Sequence, residues 1–145
     1  MLFMLIAAAG CSSGSDHAAR PVAPPQKNTP IVQVVGTWKP VWIAGFTRDL
    51  AALAETAFVS FDTAGNWRGS DGCNGLAGTY QVDPSGTFKA TPSGLRTLIG
   101  CANVPNDDVM RTATRVSGGD AALTFLAVDG RELARYVRVR TASGG

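Results

Sequence analysis

"GSDGCNGLAGTY", residues 69–80, decides how this chain is read. Glycine returns at every third position (Gly69, Gly72, Gly75 and Gly78), with Cys73 and Asn74 between them. A phosphate-binding loop needs Lys and then Ser or Thr after its last glycine, and no cation follows Gly78 here. A dinucleotide loop leads from a parallel strand into a helix, whereas "GTYQV" at 78–82 reads as another strand. A calcium loop uses alternating acids, which "DTAGN" and "SDGCN" lack. Glycine triplets without proline do not make a collagen helix. What remains is a corner between two strands where backbones pass closely, which glycine permits. Asn74 is expected to bond the local backbone there, as Asn does in turns.

Outward from this corner the pattern is strand and turn. "VVGTWKPVWIAGF" (34–46) is β-branched and aromatic, with Pro40 marking an edge or a bulge. "RDLAALAE" (48–55) has helical composition over about two turns. Three pairs of apolar runs flank turn sequences at 62–65, 83–86 and 129–130, and the last, Asp129-Gly130, is the strongest hairpin signal in the chain. Residues 106–117, "NDDVMRTATRVS", read as a helix capped by Asn106, with Asp107 and Asp108 in its first turn and Gly118-Gly119 ending it. The sum is about seven short strands and one or two helices, an α+β domain dominated by antiparallel sheet.

The whole chain has 145 residues, enough for one modest domain, with 45% apolar residues to build a core. Its 13 basic and 11 acidic side chains are too balanced for a nucleic-acid binder. The single histidine, His17, sits in a polar stretch, which removes most histidine catalysis and most zinc sites.

The N-terminus, "MLFMLIAAAGCSSGSD", opens on an apolar run far shorter than the ~20 residues of a membrane span, as in the core of a secretory signal peptide. "AAAGC" resembles the lipobox of bacterial lipoproteins, so residues 1–10 read as a lipoprotein signal peptide and Cys11 as the acylated residue. Residues 11–30 hold Ser, Ala and Pro with little to bury, a flexible tether ahead of a domain spanning 31–141 and a disordered tail at 142–145. With Cys11 lipidated in an oxidising compartment, Cys73 and Cys101 remain, as a disulfide or a packed thiol pair.

Several ordered motifs resemble the META-domain, or HslJ-like heat-shock lipoprotein, family. The match runs over residues 35–140: Gly-x-Trp in "VGTWKP", Phe-Asp before the glycine run, then Gly72-Cys73-Asn74 with Gly78 and Tyr80. Thr97 stands four residues before Cys101 in "TLIGC", and "DGRELARY" closes the pattern. Leu98 departs from a usually basic position, and Val109, Met110 and Val116 stand where aromatic and leucine anchors are usual, so the last helix is expected to pack lightly. The resemblance implies antiparallel strands curled into an incomplete β-barrel packed on one short helix. It also implies a role in envelope stress or antibiotic tolerance without a defined reaction or cofactor.

The expected function is therefore a non-catalytic, lipid-anchored envelope module, facing the periplasm from the outer membrane if the host is Gram-negative. Its partners would be the membrane and an unidentified envelope protein. One alternative is a carrier of a hydrophobic ligand or acyl chain in a barrel gap lined by Trp38, Trp42 and Trp67. Another is an extracytoplasmic thiol-redox protein, against which stand the lack of a Cys-x-x-Cys arrangement and of a histidine base in the domain. Arg131, Arg135, Arg138 and Arg140 crowd the last strand, as charge guarding a sheet edge or as a basic stripe for anionic lipid or a partner.

Overall fold

The computed structural model describes residues 31–53, 56–94 and 103–140. Eight strands appear among them: β1 (Gly36–Ile43), β2 (Ala57–Phe61), β3 (Asn66–Asp71), β4 (Gly75–Val82), β5 (Phe88–Ser93), β6 (Arg115–Gly118), β7 (Ala122–Leu126) and β8 (Glu132–Arg138). Three short helices accompany them, α1 (Ile31–Val34) ahead of β1, and α2 (Leu50–Leu53) and α3 (Asn106–Thr112) between strands. The strands form one antiparallel sheet in the order β5-β4-β3-β2-β1-β8-β7-β6. Its two edges curl towards each other, so the sheet is a nearly closed barrel with one unsealed seam. A single bridge joins the edges at Thr87 and Arg115, flanked by bonds from Phe88 N to Thr114 O (2.8 Å) and from Val116 N to Gly86 O (2.9 Å). Farther along β5 stands Pro92, which lacks the N–H a ladder needs and is at home only on an edge. There α3 packs against β5.

The hairpins follow the turn chemistry. Gly65, Gly86 and Gly130 all have positive φ between paired strands. Asp62 Oδ1 accepts Ala64 N at 2.9 Å and Asn66 N at 2.8 Å, which shapes the first turn. These hydrogen bonds, led by those from Asn66, hold the Asp62 carboxyl below its ordinary pKa.

Two elements differ from expectation. The segment read as one helix over 106–117 is α3 followed by β6, because Thr114 and Val116 are β-branched and β7 offers a free ladder: Val116 pairs with Phe125 and Ser117 with Thr124. The strand count therefore rises to eight. Asn106 does not cap the helix. Pro105 occupies that position with no side-chain bond, and Asn106 turns inward. Nor is α3 lightly packed, since Met110 is fully buried and Val109 nearly so.

Alternate residues point inward, as a half-buried sheet requires. Phe61, Tyr80, Phe88, Phe125 and Tyr136 form a connected ring chain, with centroids 4.8 Å apart for Phe61–Tyr80, 5.1 Å for Phe88–Phe125 and 5.4 Å for Phe125–Tyr136. Trp38 and Trp67 complete the interior. Trp38 Nε1 donates to Val34 O at 2.7 Å, fastening α1 to the barrel. Arg138 lies over the Trp38 ring at 4.2 Å and donates to Val35 O and Gln33 O at 2.8 and 3.1 Å.

The arginines do not guard an edge. β8 lies between β1 and β7 inside the sheet, while the edges are β5 and β6. Arg138 covers the Trp38 ring, and Arg135 lies over Trp42 at 5.4 Å on the outer face.

Candidate functional site

The glycine-rich corner sits where β3 ends and β4 begins. Gly72, with φ of +102°, reverses the chain there, and its N–H donates to Ser70 Oγ at 3.0 Å. Asp71, fully buried, organises the turn: its Oδ1 accepts Cys73 N at 2.9 Å and Asn74 N at 2.6 Å, and its Oδ2 accepts Asn74 Nδ2 at 3.0 Å. Asn74 thus bonds the Asp71 carboxylate rather than only local backbone. Asp71 O accepts Val104 N at 2.9 Å, tying the corner to the segment that leads into α3.

A second polar group adjoins it. Asn106 Nδ2 donates to Ser70 O at 2.8 Å, and its Oδ1 accepts the Tyr136 hydroxyl at 2.8 Å. One buried amide therefore links β3, α3 and β8. Burial holds the Tyr136 phenol well above its ordinary pKa. Asp107 is also buried and pairs with Arg111 at 2.9 Å.

The remaining motif residues do different work. Gly78 lies on the inner face, where any Cβ would meet Thr91 O, Trp67 Nε1 and Pro92 Cα, so glycine is required for close passage of β4 against β5. Tyr80 is buried near the opposite end of β4 and donates its hydroxyl to Asp62 O. Burial, and secondarily the Asp62 charge, raise its pKa. Cys73 is exposed and disulfide-bonded. Thr97, Cys101 and Cys11 lie outside the described residues. The structure brings Gly72, Cys73 and Asn74 together at one corner and assigns Gly78 and Tyr80 to the barrel wall. Asp71 and Tyr136 were not singled out from sequence, although Asp three residues before Asn across a Gly is an Asx-turn signal.

Chemically the corner is a set of satisfied hydrogen bonds around a carboxylate, with the nearest sulfur engaged in a bond. Among the described residues, no group of three or more His, Cys, Asp or Glu is placed to hold a metal. Trp38 and Trp67 are core residues, and only Trp42 of the three tryptophans is exposed. A cavity of about 170 Å³ between α3 and the β1–β8 pair, lined by Ile43, Val109, Leu133 and Arg131, is smaller than the ~300 Å³ at which ligand pockets begin. A polar groove of about 490 Å³ lies outside β4 and β5, lined by Thr79, Gln81, Lys89 and Thr91.

No protein-family model matches the chain, and no curated protein matches it significantly. A solved structure does resemble it: a DUF4847 family protein from Bacteroides vulgatus, with a TM-score of 0.60 and 15% identity, over 76% of this chain and 96% of that one. At that identity the likeness shows a shared fold and nothing more.

Proposed function

We propose that the chain is a META-like, lipid-anchored envelope module that binds or braces rather than catalyses. The observation that carries this reading is the use made of the Gly72-Cys73-Asn74 corner. Its polar atoms are spent on one another around Asp71 and its sulfur is in a disulfide, so the motif builds a rigid corner rather than a reactive centre. The partner of Cys73 in this reading is Cys101, leaving Cys11 for the acyl chain. A disulfide also fits the oxidising side of a membrane. The packed aromatic interior favours a bracing or surface-binding role over carriage of an acyl chain inside the barrel. The cellular role follows the resemblance: tolerance of envelope stress or antibiotics.

Metabolic labelling with an alkyne fatty acid tests the anchor. Label should enter the wild-type chain and vanish in Cys11→Ser, with the protein moving from the membrane to the soluble fraction. An unlabelled, soluble wild-type chain would refute the reading. A deletion strain that matches its parent under cell-wall antibiotics and heat would remove the stress role.

A further inference from the structure

The outer face of β1 and β8 is unusual for the middle of a sheet. Among the described residues four large apolar side chains are exposed (Val41, Trp42, Val128 and Val137), and three of them lie on these two adjacent strands. The cause is local. The β1–β8 register slips between Pro40 and Trp42, so Val41 and Trp42 both face outward in succession, flanked by buried Pro40 and Ile43. Bulges re-aim side chains in this way. Cations interleave with the apolar groups through the register: Lys39 pairs with Val137, and Trp42 pairs with Arg135, whose guanidinium lies over the indole at 5.4 Å.

Tryptophan with flanking Lys and Arg is the combination that settles at a membrane interface, with the ring at headgroup depth and the cations on phosphate. We infer that this face, centred on Val41, Trp42 and Val137 with Lys39 and Arg135, docks on an anionic phospholipid bilayer. Glu132 grips Arg135 through both carboxylate oxygens, on Nε and Nη2, so that pair balances itself and the net positive charge of the patch is that of Lys39. The inference rests on the lipid-anchored reading, since a tether holds the face at high effective concentration next to its bilayer.

The test uses the full chain, purified from membranes and reconstituted into vesicles whose acyl chains carry bromine. One set contains phosphatidylglycerol and the other only phosphatidylcholine. Trp42 should be quenched and blue-shifted in the anionic set and much less so in the zwitterionic set. Trp42→Phe should abolish the quenching, because Trp38 and Trp67 are buried in the core. Lys39→Glu with Arg135→Glu should reduce quenching to the zwitterionic level. Absent quenching in anionic vesicles, or quenching that survives Trp42→Phe, overturns the proposal. Flotation reads the anchor separately: a chain that fails to float with zwitterionic vesicles refutes the anchor, and anionic vesicles added to that soluble chain still report on the face. In cells, a photocrosslinker in place of Val137 should yield lipid adducts, and a single discrete protein adduct instead would overturn the docking.

Discussion

Asn106 of α3 and Tyr136 of β8 are joined inside the barrel, the tyrosine hydroxyl donating to the amide oxygen at 2.8 Å with neither residue touching solvent. The amide nitrogen reaches Ser70 O, so α3, β3 and β8 share one side chain. Tyr136→Phe leaves Asn106 Oδ1 buried without that donor and should cost about 1–2 kcal/mol. Asn106→Ala loses both bonds and opens a small void, at a cost of roughly 3 kcal/mol. Urea unfolding of the two single variants and the double should show coupling above ~0.5 kcal/mol. Simple additivity would mean the two groups do not support each other.

Alkaline pH should attack the same place. Burial raises the Tyr136 pKa above its ordinary value of 10.0, and Tyr80 is raised in the same direction. The unfolded chain releases these protons at lower pH than the folded one, so stability is intact below pH 10 and falls as pH rises beyond it. Thermal melts should stay level up to that point and then drop. In Tyr136→Phe the drop should be shallower, and an unchanged alkaline limb would contradict the buried phenol.

Two glycines of the quoted stretch should differ sharply in their response to alanine. Gly78→Ala drives a methyl into Thr91 O and Pro92 Cα, backbone atoms that cannot step aside, and should cost about 3 kcal/mol or prevent folding. Gly75→Ala meets nothing within 4 Å and should stay within ~0.5 kcal/mol of wild type. Chemical denaturation of both variants decides it. Equal effects would mean the period of three has some other cause.

Asp71→Ala removes the acceptor of two backbone N–H groups and the Asn74 amide. The cost should be roughly 3 kcal/mol, because these donors sit at a buried corner. Amide exchange should accelerate first at Cys73 and Asn74. A fall in stability with both amides still protected would mean that the carboxylate does not hold the turn.

The local signals were legible because turns are local. Asp62 to Gly65, Asp83 to Gly86 and Asp129-Gly130 each form their hairpin from bonds within a few residues. Pro40 announced the bulge because a missing N–H is a property of one residue. What stayed hidden depends on distant partners. β6 exists because β7 offers it a ladder, and four residues after a helix carry no periodicity of their own. Asn106 looked like a cap because caps and buried amides share a residue type, and its distant partners, the Ser70 carbonyl and the Tyr136 hydroxyl, distinguish them. The arginines of β8 looked like edge charges because strand order cannot be read along the chain.

In the lipid-anchored reading proposed above, the cysteines separate bracing from anchoring. Cys73 is disulfide-bonded, and pairing with Cys101 would close a loop of fewer than thirty residues, worth about 3–4 kcal/mol by restriction of the unfolded chain. Cys73→Ser and Cys101→Ser should each lower stability by that amount, and the double variant should lose no more than either single. Cys11→Ser should leave the unfolding midpoint unchanged while abolishing acylation. Thiol trapping after denaturation should find no free thiol in the acylated wild type and one in each single variant of the pair. If instead Cys11→Ser releases a thiol at Cys73, the disulfide joins the N-terminal cysteine, and the anchor and the brace exclude each other in the same molecule.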